Sequence, residues 1–155
     1  MAKIKKLPLL AELEALEESV FSDQIGWDIP DYIRQNMVHT FRNYQDQALR
    51  FFHYTRASDR FRLRNIDHVL FNMATGSGKT DLMAALILYL YQEHNYQNFL
   101  FLVNTNSVLS KTVDNLITVV SDKYLCRNPI EVEGERVEIR KVNSFPRSQS
   151  KNTIY

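Results

Sequence analysis

The stretch Ala74-Thr75-Gly76-Ser77-Gly78-Lys79-Thr80 constrains this chain more than any other. An apolar run (Val69, Leu70, Phe71) precedes it and a helix-forming run (Leu82 to Leu90) follows it, so a glycine-bearing turn sits between an expected strand and an expected helix. Gly76 and Gly78 permit backbone angles that let consecutive N–H groups converge on phosphate oxygens, and the helix after them points its N-terminus at the same anion. Lys79 is then a mobile cation for the terminal phosphates, and the Thr80 hydroxyl is placed to ligate Mg²⁺. The alternative is a plain glycine turn joining a strand to a helix.

A second stretch, Phe41 to Leu49, opens a helix that continues through Phe51 and Phe52. Gln45 is its informative residue: a primary amide can donate to and accept from an adenine edge at once, a selectivity that phosphate contacts do not supply. The competing reading is an ordinary helix start with a solvent-facing amide.

Composition narrows the class. The 155 residues carry 19 basic and 18 acidic side chains, net +1, so any nucleic-acid binding has to be local. A single cysteine, Cys126, excludes an internal disulfide, and His39, His53, His68 and His94 are scattered, without zinc-ligand spacing. The basic start (Lys3, Lys5, Lys6) leads into Glu12, Glu14, Glu17 and Glu18, not into a secretory apolar core, and no apolar run reaches the roughly 20 residues of a membrane span. A cytoplasmic protein is expected.

In chain order, Leu9, Leu13, Leu16 and Val20 recur at helical spacing within 7–21 and predict an amphipathic helix. A loop from Ser22 to Pro30 and a short helix opened by Asp31 follow. Arg56, Arg60, Arg62 and Arg64 make a basic segment, either a phosphate-contacting patch or a solvated face. His68 to Met73 predicts a first strand, Asp81 to Gln92 a helix apolar nearly all round, and Phe99 to Val103 a buried parallel strand; together they make a βαβ unit. Asn104-Thr105-Asn106-Ser107 then starts a helix whose apolar pattern runs from Leu109 to Tyr124. These polar residues suit a helix cap or an anion contact. Ile117 to Asp122 mimics a metal-organising acidic strand, but its helical spacing and the lack of any Asp-Glu pair in the chain argue against that role. Ile130 to Ile139 alternates about Gly134 as a hairpin, 144–152 reads as a loop, and Thr153-Ile154-Tyr155 as the opening of another strand.

Ala74 to Thr80 resembles the first motif of superfamily 2 helicases and translocases, which often lack the leading glycine of G-x-x-x-x-G-K-[ST], here Met73. Arg42, Tyr44 and Gln45 match the R-x-Y-Q of that superfamily's adenine-sensing element. Residues 31–155 look like the opening part of its first motor lobe, most similar to the ATP-dependent motor subunit of type III restriction endonucleases. The resemblance implies a partial RecA-like P-loop NTPase domain, α/β with a parallel sheet flanked by helices, over 31–155, behind an N-terminal helical extension over 1–30. It implies ATP and Mg²⁺ held by Gln45, Arg42, Tyr44 and the loop 73–80, with Lys79 and Thr80 in the catalytic roles. It also implies double-stranded DNA and a modification (methyltransferase) subunit as partners of the complete protein. The superfamily places a Pro-Thr pair on the nucleic-acid backbone where this chain has Asn104-Thr105, so Thr105 and Asn106 are the nucleic-acid candidates. Its acidic Mg²⁺ motif, second lobe and nuclease are missing, so the expectation is an N-terminal fragment that binds nucleotide without turnover. An RNA helicase fragment of the same superfamily, a small-molecule kinase, and a noncatalytic interaction module are the alternatives.

Overall fold

The structure, a computed structural model, describes residues 8–18, 28–64, 66 and 68–155. Val20 and residues 22–27 of the expected loop from Ser22 to Pro30 lie outside the described residues. The elements are α1 (Leu9–Glu17), α2 (Asp31–Asn36), α3 (Asn43–Ala57), α4 (Asp59–Arg62), α5 (Lys79–His94), α6 (Asn106–Leu116), β1 (Ile130–Val132), β2 (Glu135–Ile139) and β3 (Thr153–Ile154). By packing, the chain falls into two units, one of residues up to Ile29 with Arg50–Phe71, the other of Pro30–Leu49 with Asn72–Tyr155.

The first unit is built on the leucine stripe of α1. Leu13 is buried with Phe51, Tyr54 and Phe61, and Leu9, Leu16 and Ile66 pack around them. Tyr54 and Phe61 meet edge to face with centroids 5.8 Å apart, the arrangement their ring quadrupoles favour. The arginines expected as a phosphate patch or a solvated face are partly engaged within this unit. Arg60 and Arg64 both reach the Glu12 carboxylate, at 3.2 and 2.7 Å, and the Arg64 guanidinium lies 5.1 Å from the Phe61 ring centroid. Arg56 covers Phe52 at 5.3 Å.

The second unit centres on α5. Leu82, Ala84, Ala85, Ile87, Leu88 and Tyr89 are all buried, as an apolar surface on most sides of a helix requires. Asn95, left-handed at φ 56°, ends it. The sheet has the order β1-β2-β3 and is mixed: β1 and β2 are antiparallel with Ile130 opposite Val137, and β2 and β3 are parallel with Glu138 opposite Thr153. Glu133 and Gly134 turn the hairpin with φ of 52° and 79°, the pair of positive values a tight two-residue turn needs. Asn36 ties α2 to β1. Its amide donates to the Glu131 carbonyl at 2.7 Å and accepts from the Glu131 N–H at 2.8 Å, imitating a strand neighbour.

Two expectations change. His68–Met73 and Phe99–Val103 are not strands of a sheet, and Leu70 and Leu102 stand 91% and 84% exposed. A strand is defined by a ladder partner, and an apolar run specifies a face to be buried without supplying the neighbour. The nearest approach to a ladder is at Tyr155, which donates to the Gln97 carbonyl at 2.6 Å and accepts from the Phe99 N–H at 2.7 Å, the slanted pattern of a parallel pair. The helix expected to run to Tyr124 stops at Leu116, and 117–123 is turns. Ile117, Thr118, Val119 and Val120 are consecutive β-branched residues with poor helix propensity, and the Ile117 and Thr118 N–H groups both close on the Val113 carbonyl. Among the described residues no helix is long and apolar enough to cross a membrane.

Candidate nucleotide-binding loop

The loop is shaped from its glycines outward. Gly76 and Gly78 have φ of 76° and 77°, and Gly78 is the residue before α5, so its own carbonyl starts the helix by accepting the Leu82 N–H at 3.2 Å. Ser77 folds back on Ala74 through its N–H at 3.3 Å and its hydroxyl at 2.6 Å, closing a tight turn with Thr75 and Gly76 at its exposed tip. Lys79 Nζ donates to the carbonyls of Ala74 at 2.7 Å and Met73 at 3.2 Å, which draws its ammonium back over the loop. Thr80 lies in the first turn of α5, half-buried. Left-handed glycines, a lysine held over the loop and a helix N-terminus are the parts that cradle a phosphate chain. The residues present fit Mg²⁺ and a nucleoside triphosphate.

Tyr44 and Gln45 reach this loop through its backbone carbonyls, and Arg42 is joined to it only through those two side chains. Gln45, 4% exposed, sits three residues beyond Arg42 and accepts the Arg42 N–H at 2.8 Å, which is the return half of a capping box at the start of α3. Its Nε2 donates to the Gly78 carbonyl at 3.0 Å. Tyr44 donates its hydroxyl proton to the Ser77 carbonyl at 2.9 Å and accepts from Arg42 Nη1, also at 2.9 Å. A glutamine amide has two donors and two acceptor sites, so one N–H and one lone pair of Gln45 remain for another partner.

One contact was not visible in the sequence. His39 Nδ1 lies 2.7 Å from Asp81 Oδ1, next to Thr80 in the chain. The other carboxylate oxygen of Asp81 lies 3.1 Å from where a Cβ on Gly78 would sit, and Gln45 Nε2 is 2.5 Å from the same point. A side chain at 78 would therefore displace the Gln45 amide, in addition to the strain of the left-handed φ.

Thr105 and Asn106 lie outside this network. Thr105 is extended, its Oγ1 accepts the Val108 N–H at 3.3 Å, and Asn106 is the first residue of α6, so the hydroxyl serves as a helix cap. Both residues are exposed beside a cleft of about 440 Å³ formed with Phe101 to Asn104 and Leu109. A more apolar cavity of about 330 Å³, lined by Phe99, Phe101, Val113, Leu116 and Ile154 among others, includes no residue of the loop. Among the described residues no group of His, Cys, Asp and Glu side chains could hold a metal ion by itself.

The family model described as type III restriction enzyme, res subunit, matches residues 38–155, a range that holds Arg42, Tyr44, Gln45 and the whole loop. The chain is 38% identical over 138 residues to a protein of Haemophilus influenzae titled "Probable type III restriction-modification enzyme HindVIP Res subunit", a match covering 86% of this chain and 26% of that protein. No solved structure matches. With a RecA-like fold implied by the family, and with both motif regions inside the matched range, the chain belongs to the type III restriction enzyme res subunit family.

Proposed function

We propose that residues 74–80 are a Walker A loop that binds Mg·ATP, in the opening part of a first motor lobe over 31–155, with 1–30 as an N-terminal extension. The observation that carries this is the pair of left-handed glycines with Lys79 and the N-terminus of α5 at the same turn. The backbone N–H groups and Lys79 hold the phosphates, Thr80 ligates Mg²⁺, and the remaining amide functions of Gln45 read the adenine edge beside Tyr44 and Arg42. The bound metal supplies charge neutralisation between the phosphate oxygens.

The Haemophilus relative extends well beyond the matched 26% of its length. We assign to the complete protein ATP-driven translocation on double-stranded DNA, restriction together with a modification subunit, and a cytoplasmic location. Thr105 and Asn106, exposed at the start of α6, are the residues proposed to meet the nucleic-acid backbone. Turnover needs groups that hold the metal from a second side and stabilise the transferring phosphoryl, so the 155-residue chain is expected to bind nucleotide without stimulated hydrolysis.

The test is equilibrium binding of Mg·ADP and Mg·ATP to the wild-type chain and to Lys79→Ala. Charge-assisted contacts contribute about 1.5 to 3 kcal/mol each, so Lys79→Ala should bind roughly tenfold to a hundredfold more weakly. Equal affinity in two folded proteins would remove the assignment. A parallel measurement on Gln45→Ala should narrow the preference for ATP over GTP.

A further inference from the structure

We propose that His39 is a positioning residue for the phosphate loop, holding and offsetting the Asp81 carboxylate so that it does not compete with bound phosphate. This rests on the reading of 74–80 as the nucleotide site. Asp81 directly follows Lys79 and Thr80 in the first turn of α5. A carboxylate there is favoured by the helix dipole, and so is a bound phosphate, which makes the two anions rivals for the same positive end. The Asp81 side chain is only 16% exposed, so water screens it little. One of its oxygens faces the position of Gly78, whose carbonyl also takes the Gln45 amide. The other is 2.7 Å from His39 Nδ1, and because an ionised carboxylate only accepts, the imidazole nitrogen is the donor. His39 itself is 60% exposed, on the segment leading into Arg42 and Gln45, so that segment touches the loop from two sides: Gln45 at Gly78 and His39 at Asp81.

If His39 acts through the carboxylate, the charge on Asp81 is harmful only when His39 is missing. His39→Ala should therefore weaken Mg·ADP binding about tenfold. Asp81→Asn in the same chain should bring affinity back to within about threefold of Asp81→Asn alone. His39→Gln, which keeps an amide donor, should lie closer to wild type than His39→Ala. The experiment is equilibrium binding of fluorescent ADP to these variants and to Lys79→Ala, with circular dichroism on each to verify folding. Wild-type affinity in His39→Ala, or a double variant as weak as His39→Ala, overturns the proposal. If Lys79→Ala loses binding while His39→Ala does not, this proposal alone fails. If Lys79→Ala binds like wild type, the nucleotide reading fails and takes this one with it.

Discussion

The two glycines of the phosphate loop look alike in φ and differ in what surrounds them. A Cβ at Gly76 would meet nothing within 4 Å, whereas one at Gly78 would meet Gln45 Nε2 at 2.5 Å and Asp81 Oδ2 at 3.1 Å. Left-handed backbone costs a non-glycine residue about 1 to 2 kcal/mol at either position. Gly78→Ala additionally displaces the Gln45 amide from the Gly78 carbonyl, so it should lower stability by at least about 1 kcal/mol more than Gly76→Ala. Chemical denaturation midpoints of the two variants check this, and equal midpoints would mean that Gln45 yields without cost. The glycine turn of the loop and the helix start after it were legible in the sequence because turn chemistry is local. Gln45 was expected at an adenine edge and not as a cap, because the residue it caps, Arg42, is not a usual capping type. His39 was not legible at all: its partner is 42 residues away, and no pattern of spacing relates them.

Among the elements, the edge of β1 depends on one side chain. Asn36 is buried and serves both backbone groups of Glu131, as well as donating to the Tyr32 carbonyl at 2.8 Å. Asn36→Ala leaves a donor and an acceptor of β1 without partners, at about 1 to 3 kcal/mol for each group, so a loss of about 2 to 6 kcal/mol is expected. Asn36→Asp, which cannot donate, should recover only the contact to the Glu131 N–H. Thermal melts of wild type and both variants, ranked in that order, are the measurement. Helix α5 and the hairpin were readable from their own residues, through an apolar run of helical length and alternation about Gly134. The runs at 68–73 and 99–103 were misread as paired strands because pairing depends on a neighbour that the run itself does not encode. The end of α6 was misread because apolar spacing outweighed the β-branched run at 117–120.

At the scale of the whole molecule, each packing unit has its own sensitivity. In the unit built on α1, hydrogen bonding from Arg64, aided by the charges of Arg64 and Arg60, holds the Glu12 carboxyl below its ordinary value of 4.5 against the opposing effect of burial. A depressed folded value stabilises the native state above the unfolded value, and that stability is lost as pH falls through the folded one. Between about pH 5 and the depressed value, this unit should therefore weaken by at most about 1 kcal/mol, since these ion pairs are partly exposed. Glu12→Gln should be less stable than wild type at neutral pH and should show a flatter acid limb in a pH series of thermal melts. A limb of the same steepness in both proteins would assign the acid sensitivity to other carboxylates.

The apolar segment Phe99-Leu100-Phe101-Leu102-Val103 governs how the protein behaves in concentrated solution. It holds five apolar residues with no charge and no proline, and among the described residues the backbone of Leu100 to Val103 makes no hydrogen bond. That combination is a template for intermolecular cross-β addition, and Asn98 and Asn104 at its ends carry no charge to repel an incoming copy. A preparation of the 155-residue chain should scatter light increasingly with concentration and bind amyloid-reporting dyes on standing. Leu102→Lys, which places a charge on an outward-facing position of the segment, should raise the soluble fraction several-fold without altering the melting temperature. The stretch best suited to the interior of a sheet is thus also the one that governs how long this polypeptide stays in solution.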